Sequence, residues 1–314
     1  MRRLLGPRML PLAATGLVVV LLYLAAGAKF HDSNWFTYRV LRDLVVNNGV
    51  LGVLAIGMTF VILSGGIDLS IGSTVAFVGI LSATLLGQGW SPPAVITLSL
   101  VCGVALGALM GWLVASFDLP PFMVTLGGMF LMRGVTLLIN DSQIAITHPT
   151  YLASGKWPIH PAAGAWLIAL VVALYLLHYT RFGRNIYAVG GSEQSALLMG
   201  LPVWRTKVAV YACCSLFAAF AGVAQSFVSL SGDSTQGVAQ EMDAIAAVVI
   251  GGTLLTGGRG YVAGTVLGVL ILGLIQSAII FANINSWWTR IGIGLLLLIF
   301  VLLQRAIQQR VDRQ

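Results

Sequence analysis

The chain has 314 residues and a net charge of +7, with 58% hydrophobic and only 9% charged residues and a mean hydropathy of +0.94. Soluble domains carry about 25% charged residues, so this chain cannot cover its apolar surface in water and belongs in a bilayer. Its basic residues sit between apolar runs rather than along one stripe, which excludes nucleic acid as a partner and fits the Lys/Arg bias of membrane loops.

The hydropathy pattern predicts an all-α, polytopic membrane bundle of about ten transmembrane segments. They fall over 9–28, 44–63, 70–86, 92–117, 121–139, 162–177, 208–230, 244–255, 262–282 and 287–303. No polar stretch is long enough for a soluble domain, so 1–314 reads as a single transmembrane domain. Ala26-Gly27-Ala28 resembles a signal-peptidase site, but the preceding apolar run exceeds the ~7–15 residues of a signal core, so it reads as an uncleaved first helix. The third, sixth and eighth segments are short for a simple crossing, which predicts broken or re-entrant helices there.

Ser91-Pro92-Pro93 and Asp118-Leu119-Pro120-Pro121 pair a capping side chain with early prolines, a helix-start signal. Asp68 or Ser70 could cap the third segment in the same way. The 37 glycines suit helices that approach closely in lipid. Cys102, Cys213 and Cys214 lie in apolar runs and read as small buried hydrophobes.

Lys and Arg orient the bundle with both termini cytoplasmic. Arg2, Arg3, Arg8, Arg181, Arg184, Arg205, Lys207, Arg259, Arg305, Arg310 and Arg313 then lie inside, against Lys29, Arg39, Arg42, Lys156 and Arg290 outside. A short internal echo links Val61-Ile62-Leu63-Ser64-Gly65-Gly66 with Val248-Val249-Ile250-Gly251-Gly252, and each precedes an apolar run. Transporters are often built from repeated halves.

No G-x-x-x-x-G-K-[ST] phosphate loop, H-E-x-x-H or G-x-S-x-G occurs. His31, His148, His160 and His178 are scattered at loops and segment ends, so neither an intramembrane enzyme nor a metal site can be assembled. A proton- or ion-coupled carrier would want acidic or histidine relays within its segments, and almost none exist. Three features remain. The run from Gly57 to Ser73 places Gly66, Asp68 and Ser70 at a break between apolar segments, either as a gate or as a plain turn with Asp68 as N-cap. Arg133 lies within the fifth segment, where it must face a cavity, a carboxylate or backbone carbonyls. Glu241 and Asp243 stand at the outer start of the eighth segment with the same ambiguity. The loop 181–205, RFGRNIYAVGGSEQSALLMGLPVWR, has Ser192 placed to cap a short helix over 193–199. Gly200 suits its C′ position, and Pro202 stops it. Its small face, Ala196 beside Ser192 and Gly200, could enter a groove on another protein.

Three separated runs carry a resemblance: GMTFVILSGGIDLSIGS, TRFGRNIYAVGGSEQSALLMGL and EMDAIAAVVIGGT. Together, and in this order, they resemble the ribose-type permeases of bacterial sugar ABC importers over nearly the whole chain. His148-Pro149-Thr150-Tyr151 and Ser286-Trp287-Trp288-Thr289 look most like a permease of the galactofuranose importer. The resemblance implies the bacterial inner membrane and three partners: a periplasmic sugar-binding protein, a second permease subunit, and a cytoplasmic ABC ATPase with two nucleotide-binding domains. This chain would hold no cofactor, since ATP and Mg would bind the ATPase. Arg181, Gly183, Arg184, Gly190, Gly191, Glu193, Ala196 and Gly200 would form the coupling loop. Met242 replaces the family's usual Leu, a volume-conserving change.

Overall fold

The computed structural model describes residues 10–31, 35–285 and 287–311. Arg2, Arg3, Arg8, Arg313 and Ser286 lie outside them. Its helices, in chain order, are α1 (Leu10–Lys29), α2 (Tyr38–Asn47), α3 (Gly49–Leu63), α4 (Ile71–Gly87), α5 (Pro92–Phe117), α6 (Pro121–Ile139), α7 (Pro149–Ala153), α8 (Pro161–Tyr179), α9 (Arg181–Gly191), α10 (Glu193–Leu198), α11 (Val203–Ser229), α12 (Gln240–Ile250), α13 (Val262–Phe281) and α14 (Trp287–Val311). One small departure from an all-α fold exists. Strand β1 (Ile144–Ala145) pairs antiparallel with β2 (Ser231–Gly232), with Ile144 opposite Gly232.

Among the described residues six helices are long and apolar enough to cross a membrane: α1, α5, α6, α8, α11 and α13. The pair α2–α3, bent by 48°, makes a seventh when taken as one span, and Ile71–Gly87 and Arg290–Ile299 are shorter apolar stretches. The expected second segment is therefore two helices. The bend falls at Asn48, whose side-chain amide donates to the Leu44 carbonyl at 2.7 Å and is buried. The third and eighth segments are short as expected, with 17 residues in α4 and 11 in α12. The sixth is not. Helix α8 runs 19 residues, because His160 Nδ1 accepts from Ala162 N–H and lets it start at Pro161, beyond the apolar run itself.

Two expected caps are different devices. Asp118 adopts the left-handed conformation (φ 50°) and ends α5 rather than starting α6, which opens on Pro121 with no capping side chain. Ser91 precedes α5 but makes no side-chain cap bond, so the early prolines alone mark that start.

The centre of the molecule is the packing of α5 on α11, its two longest spans. Gly103, Gly107 and Gly111 line one face of α5 at four-residue spacing. A Cβ on Gly103 would come within 2.6 Å of Ala219 Cβ, and one on Gly111 within 2.8 Å of Val208 Cα. At Gly107 it would overlap the Tyr211 carbonyl. Backbones meet here because lipid supplies no hydrophobic drive between helices, and close dispersion contact replaces it. Around this pair, α3, α8, α12 and α13 complete the main core, with Phe60, Ile62, Tyr211 and Val248 fully or almost fully buried. Substituting Gly107→Leu should force α5 from α11 and lower stability by ~1–3 kcal/mol. Gly87→Leu, which meets open space, serves as control. Thermal melts of the purified protein in detergent should show an earlier transition for the first variant only.

Candidate functional site

Two regions gather the chemistry. The first is a pair of helix breaks. Helix α3 stops in a Schellman cap: Gly66 N donates to Val61 O at 2.9 Å, Gly65 N donates to Ile62 O at 3.0 Å, and Gly65 has φ +86°. The echo motif stops α12 identically. Thr253 N donates to Val248 O at 3.2 Å and Gly252 N to Val249 O at 2.9 Å, with Gly252 at φ +90°. The sequence echo is thus a shared helix stop.

After its stop the chain turns back into the protein. Thr125 Oγ1 on α6 donates to Ile67 O at 3.3 Å. Asp68 is fully buried, and its Oδ1 accepts from Ser70 N at 2.9 Å and Ser70 Oγ at 2.6 Å. Asp68 therefore shapes the turn that launches α4, with Ser70 as the residue before the helix. The Cys214 thiol lies close to the same carboxyl, and the Tyr211 hydroxyl packs against Gly66. Cys214 lies on α11 about 16 Å from that helix's start at 1.5 Å per residue. The turn therefore sits deep in the bundle.

Helices α4 and α12 both begin there, their N-termini together. Gly72, in the first turn of α4, packs against the Gly237 carbonyl and the Glu241 carboxylate. Helix N-termini carry partial positive charge, so Glu241 has two of them beside it. Glu241 is thus a buried residue at a helix junction. Asp243, half-buried two positions further along α12, is attracted by Arg290 of α14. Between β2 and α12 the chain runs through the irregular segment 233–239. Arg133 of α6 holds it: its Nη1 donates to Ser234 O at 2.7 Å and to Gln236 O at 2.8 Å. Glu241 supplies nearby negative charge. Of the expected alternatives for Arg133, backbone carbonyls are what it faces. Gln236 Nε2 donates to Ser229 Oγ at 3.1 Å, while Thr235, Val238 and Met242 point outward. Sequence reading passed over this segment as a gap between apolar runs. Its polar run Asp233-Ser234-Thr235-Gln236 between two membrane segments was the available signal.

The second region is the loop 181–205, which holds one more helix than expected. Thr180 Oγ1 accepts from Gly183 N at 3.3 Å and starts α9, whose first turn exposes Arg181 and Arg184. Gly183 packs on the last turn of α8. Ser192 Oγ accepts from Ser195 N at 3.2 Å and starts α10. Leu201 N donates to Ala196 O at 3.0 Å and Gly200 N to Leu197 O at 2.9 Å, with Gly200 at φ +75°, so α10 ends in the expected glycine cap. Glu193 in its first turn is ion-paired with Lys207 of α11. Ala196, however, is fully buried against Val189 and Val203. Ala196 therefore fastens α10 to its own chain and does not face a partner. The outward side is Leu197, Leu198 and Met199, with Leu198 88% and Met199 67% exposed.

Gly190 and Gly191 join the two regions. Gly190 lies directly on the Leu63 carbonyl at the end of α3. Tyr187 of α9 donates to Gly260 O at 2.9 Å, and burial, with Tyr261 adding to it, pushes its hydroxyl up to about 12. The end of α9 thus touches the chain just past both helix stops. Among the described residues no group of three or more His, Cys, Asp and Glu is placed to hold a metal ion.

A family model described as "Branched-chain amino acid transport system / permease component" matches residues 40–301. The inner membrane ABC transporter permease protein YjfF of Escherichia coli (strain K12) is 46% identical over 310 residues, covering 96% of this chain and 93% of the relative. The fructose import permease protein FruG of Bifidobacterium longum is 35% identical, covering 96% and 93%. The ribose import permease protein RbsC of Escherichia coli (strain K12) is 36% identical, covering 91% of each. No solved structure matches. With the family model spanning most of its length and these relatives nearly all of it, the chain belongs to this family of ABC transporter permeases.

Proposed function

We propose that this chain is half of the membrane pore of an ATP-driven importer of a monosaccharide. The family description names branched-chain amino acids, but the relatives with a printed substrate are permeases for fructose, ribose and L-arabinose. That is the observation that carries the reading. Galactofuranose is the proposed sugar, on the likeness of His148-Pro149-Thr150-Tyr151 and the Trp287-Trp288 pair to galactofuranose permeases. Ribose or another pentose or hexose is the alternative. The remaining parts are a periplasmic sugar-binding protein, a second permease subunit and a cytoplasmic ATPase that holds ATP and Mg. The single domain 1–314 crosses the inner membrane about ten times, counting α4, α12 and α14 as partial or full crossings, with both termini cytoplasmic.

In this reading α10 is the coupling helix and the α4–α12 junction borders the sugar path. The exposed Leu198 and Met199 would enter an apolar pocket on the ATPase, with Arg181, Arg184 and Arg205 at the rim. ATP-driven closure of the ATPase would displace α10 and α9 together, through Ala196 and Gly190, and switch the bundle between two packings. Half-helix N-termini beside a polar segment are the arrangement that transporters use to face substrate near the membrane midplane. Arg133, Gly66, Asp68, Ser70, Glu241 and Asp243 would hold that arrangement in register.

Proteoliposomes containing this chain, its ATPase and its second permease should take up labelled sugar only with ATP and the binding protein. Calorimetry of the binding protein against galactofuranose, ribose and fructose should identify the sugar. Uptake by this chain alone on an ion gradient would overturn the proposal. Leu198→Asp should leave the amount of permease in the membrane unchanged but weaken ATPase association about thirtyfold, as loss of a ~2 kcal/mol apolar anchor does. Full co-purification of the ATPase with that variant would sink the docking role of α10. Arg133→Ala strips two part-buried carbonyls of their donor, a loss at the low end of the ~1–3 kcal/mol for an unsatisfied group. Uptake should fall tenfold or more with α10 docking intact, and Arg133→Lys should recover only part of it.

A further inference from the structure

The turn after α12 is far from the loop 181–205 in sequence but is fastened to it in space. Leu254 N donates to Arg259 O at 3.0 Å and Gly257 N to Leu254 O at 3.0 Å, so the turn closes on itself. Gly258 N then donates to Leu63 O at 2.9 Å. Gly257 and Gly258 have φ +85° and +72°, conformations that only glycine adopts without strain. They also have no room for a side chain. A Cβ on Gly258 would lie 2.7 Å from Gly191 Cα, and one on Gly257 would lie 2.9 Å from Gly190 O. With the Tyr187 bond to Gly260 O, three contacts clamp this turn to the last residues of α9. Those residues directly precede Ser192, the cap of α10. The turn therefore stands beside α10, and it presents Leu255 (40% exposed), Thr256 and Arg259 to the outside.

We infer that residues 254–260 are a second contact for the ATPase subunit that α10 engages. The inference rests on the docking role proposed for α10. The partner chemistry is set by what the turn offers: one apolar side chain, Leu255, next to a guanidinium, Arg259. Arg181, Arg184 and Arg205 are exposed on the neighbouring loop. The complementary surface is an apolar depression edged by carboxylates, continuous with the pocket for Leu198 and Met199. No sequence pattern marks the turn as a docking element. Its place is set by backbone packing, which leaves the side chains of Leu255, Thr256 and Arg259 exposed.

A second contact here has a mechanical consequence. The partner would hold the chain both at α10 and at the turn that connects α12 to α13. Displacing the ATPase would then move the helix whose other end carries Glu241 and the α4 junction, without relying on α9 alone.

The test uses the assembled importer in native membranes, with a benzophenone amino acid placed singly at Thr256, at Met199, or at Leu152 of α7 as control. Leu152 is exposed among residues that pack around β1, away from α10. Ultraviolet light should join Thr256 and Met199 to the ATPase subunit and leave Leu152 unjoined to it. An adduct at Met199 with none at Thr256 would overturn the second contact and leave the α10 reading standing. No adduct at either would overturn both. An adduct at Thr256 alone would support the turn as a contact and remove α10 from the interface.

Discussion

Lipid offers no hydrogen-bond partners, so a chain that leaves the helix inside a membrane must satisfy its freed backbone groups from within. Among the described residues α3 and α12 both stop inside the bundle, and the packing around them follows from how the chain meets that demand. The Leu63 carbonyl, freed at the end of α3, takes Gly258 N–H. The Ile67 carbonyl takes the Thr125 hydroxyl, and the carbonyls of Ser234 and Gln236 take one guanidinium nitrogen. Gly260 O takes the Tyr187 hydroxyl. Each partner comes from an element distant in sequence. Satisfying the breaks is therefore the same act as docking α6 on the chain after α3 and before α12, and α9 on the 251–261 turn.

That coupling of local need to long-range packing gives the loop 181–205 its reach. A contact through long side chains can absorb a displacement by changing rotamers. The contact of Gly190 and Gly191 with Leu63, Gly257 and Gly258 has no side chains to adjust. Interiors packed at this density are bistable rather than continuously deformable. A shift of α9 must then carry the end of α3 and the end of α12 with it or break the junction. Both helices end in the same Schellman cap, so the two stops answer to one neighbour through one geometry. This is a physical route of packed contacts between the loop and the α4–α12 junction. Its energetic coupling is a matter for measurement.

What could be read from the sequence tracks how local the cause is. The cap of α10 was legible because Ser192 and Gly200 act within a few residues of themselves. The shared VILSGG and VVIGG stops were visible as an echo for the same reason. The bend at Asn48 is hidden inside a largely apolar run, since the pair Asn47-Asn48 barely alters hydropathy over ~20 positions. In the sequence Ala196 reads as part of an outward small face, since it stands at four-residue spacing from Ser192 and Gly200. Only the packing of Val189 and Val203 around it shows that it points inward. Arg133 was recognisable as a residue in need of partners. That those partners would be carbonyls of a segment a hundred residues away could not be read from spacing. The segment itself was overlooked because it is polar, and polar residues between membrane helices ordinarily mean a surface loop.

The segment 233–239 also bears on why such a chain would not act alone. Arg133, Thr235 and Gln236 are at least partly exposed on this chain, with Val238 and Met242 beside them, and α6 leaves Met123, Phe130 and Leu131 uncovered nearby. Apolar side chains on α6 could face lipid at no cost. The Thr235 hydroxyl, the Gln236 amide and the Arg133 guanidinium are held by Asp233, Ser229 and the carbonyls of Ser234 and Gln236 yet stay partly exposed, and polar groups in hydrocarbon persist only where they face protein or a wet cavity. On the proposed reading, this polar seam would have a wall opposite it. A second permease subunit placed across α6 would supply that wall, turn the seam inward, and make the space between the two chains the polar path that neither encloses by itself.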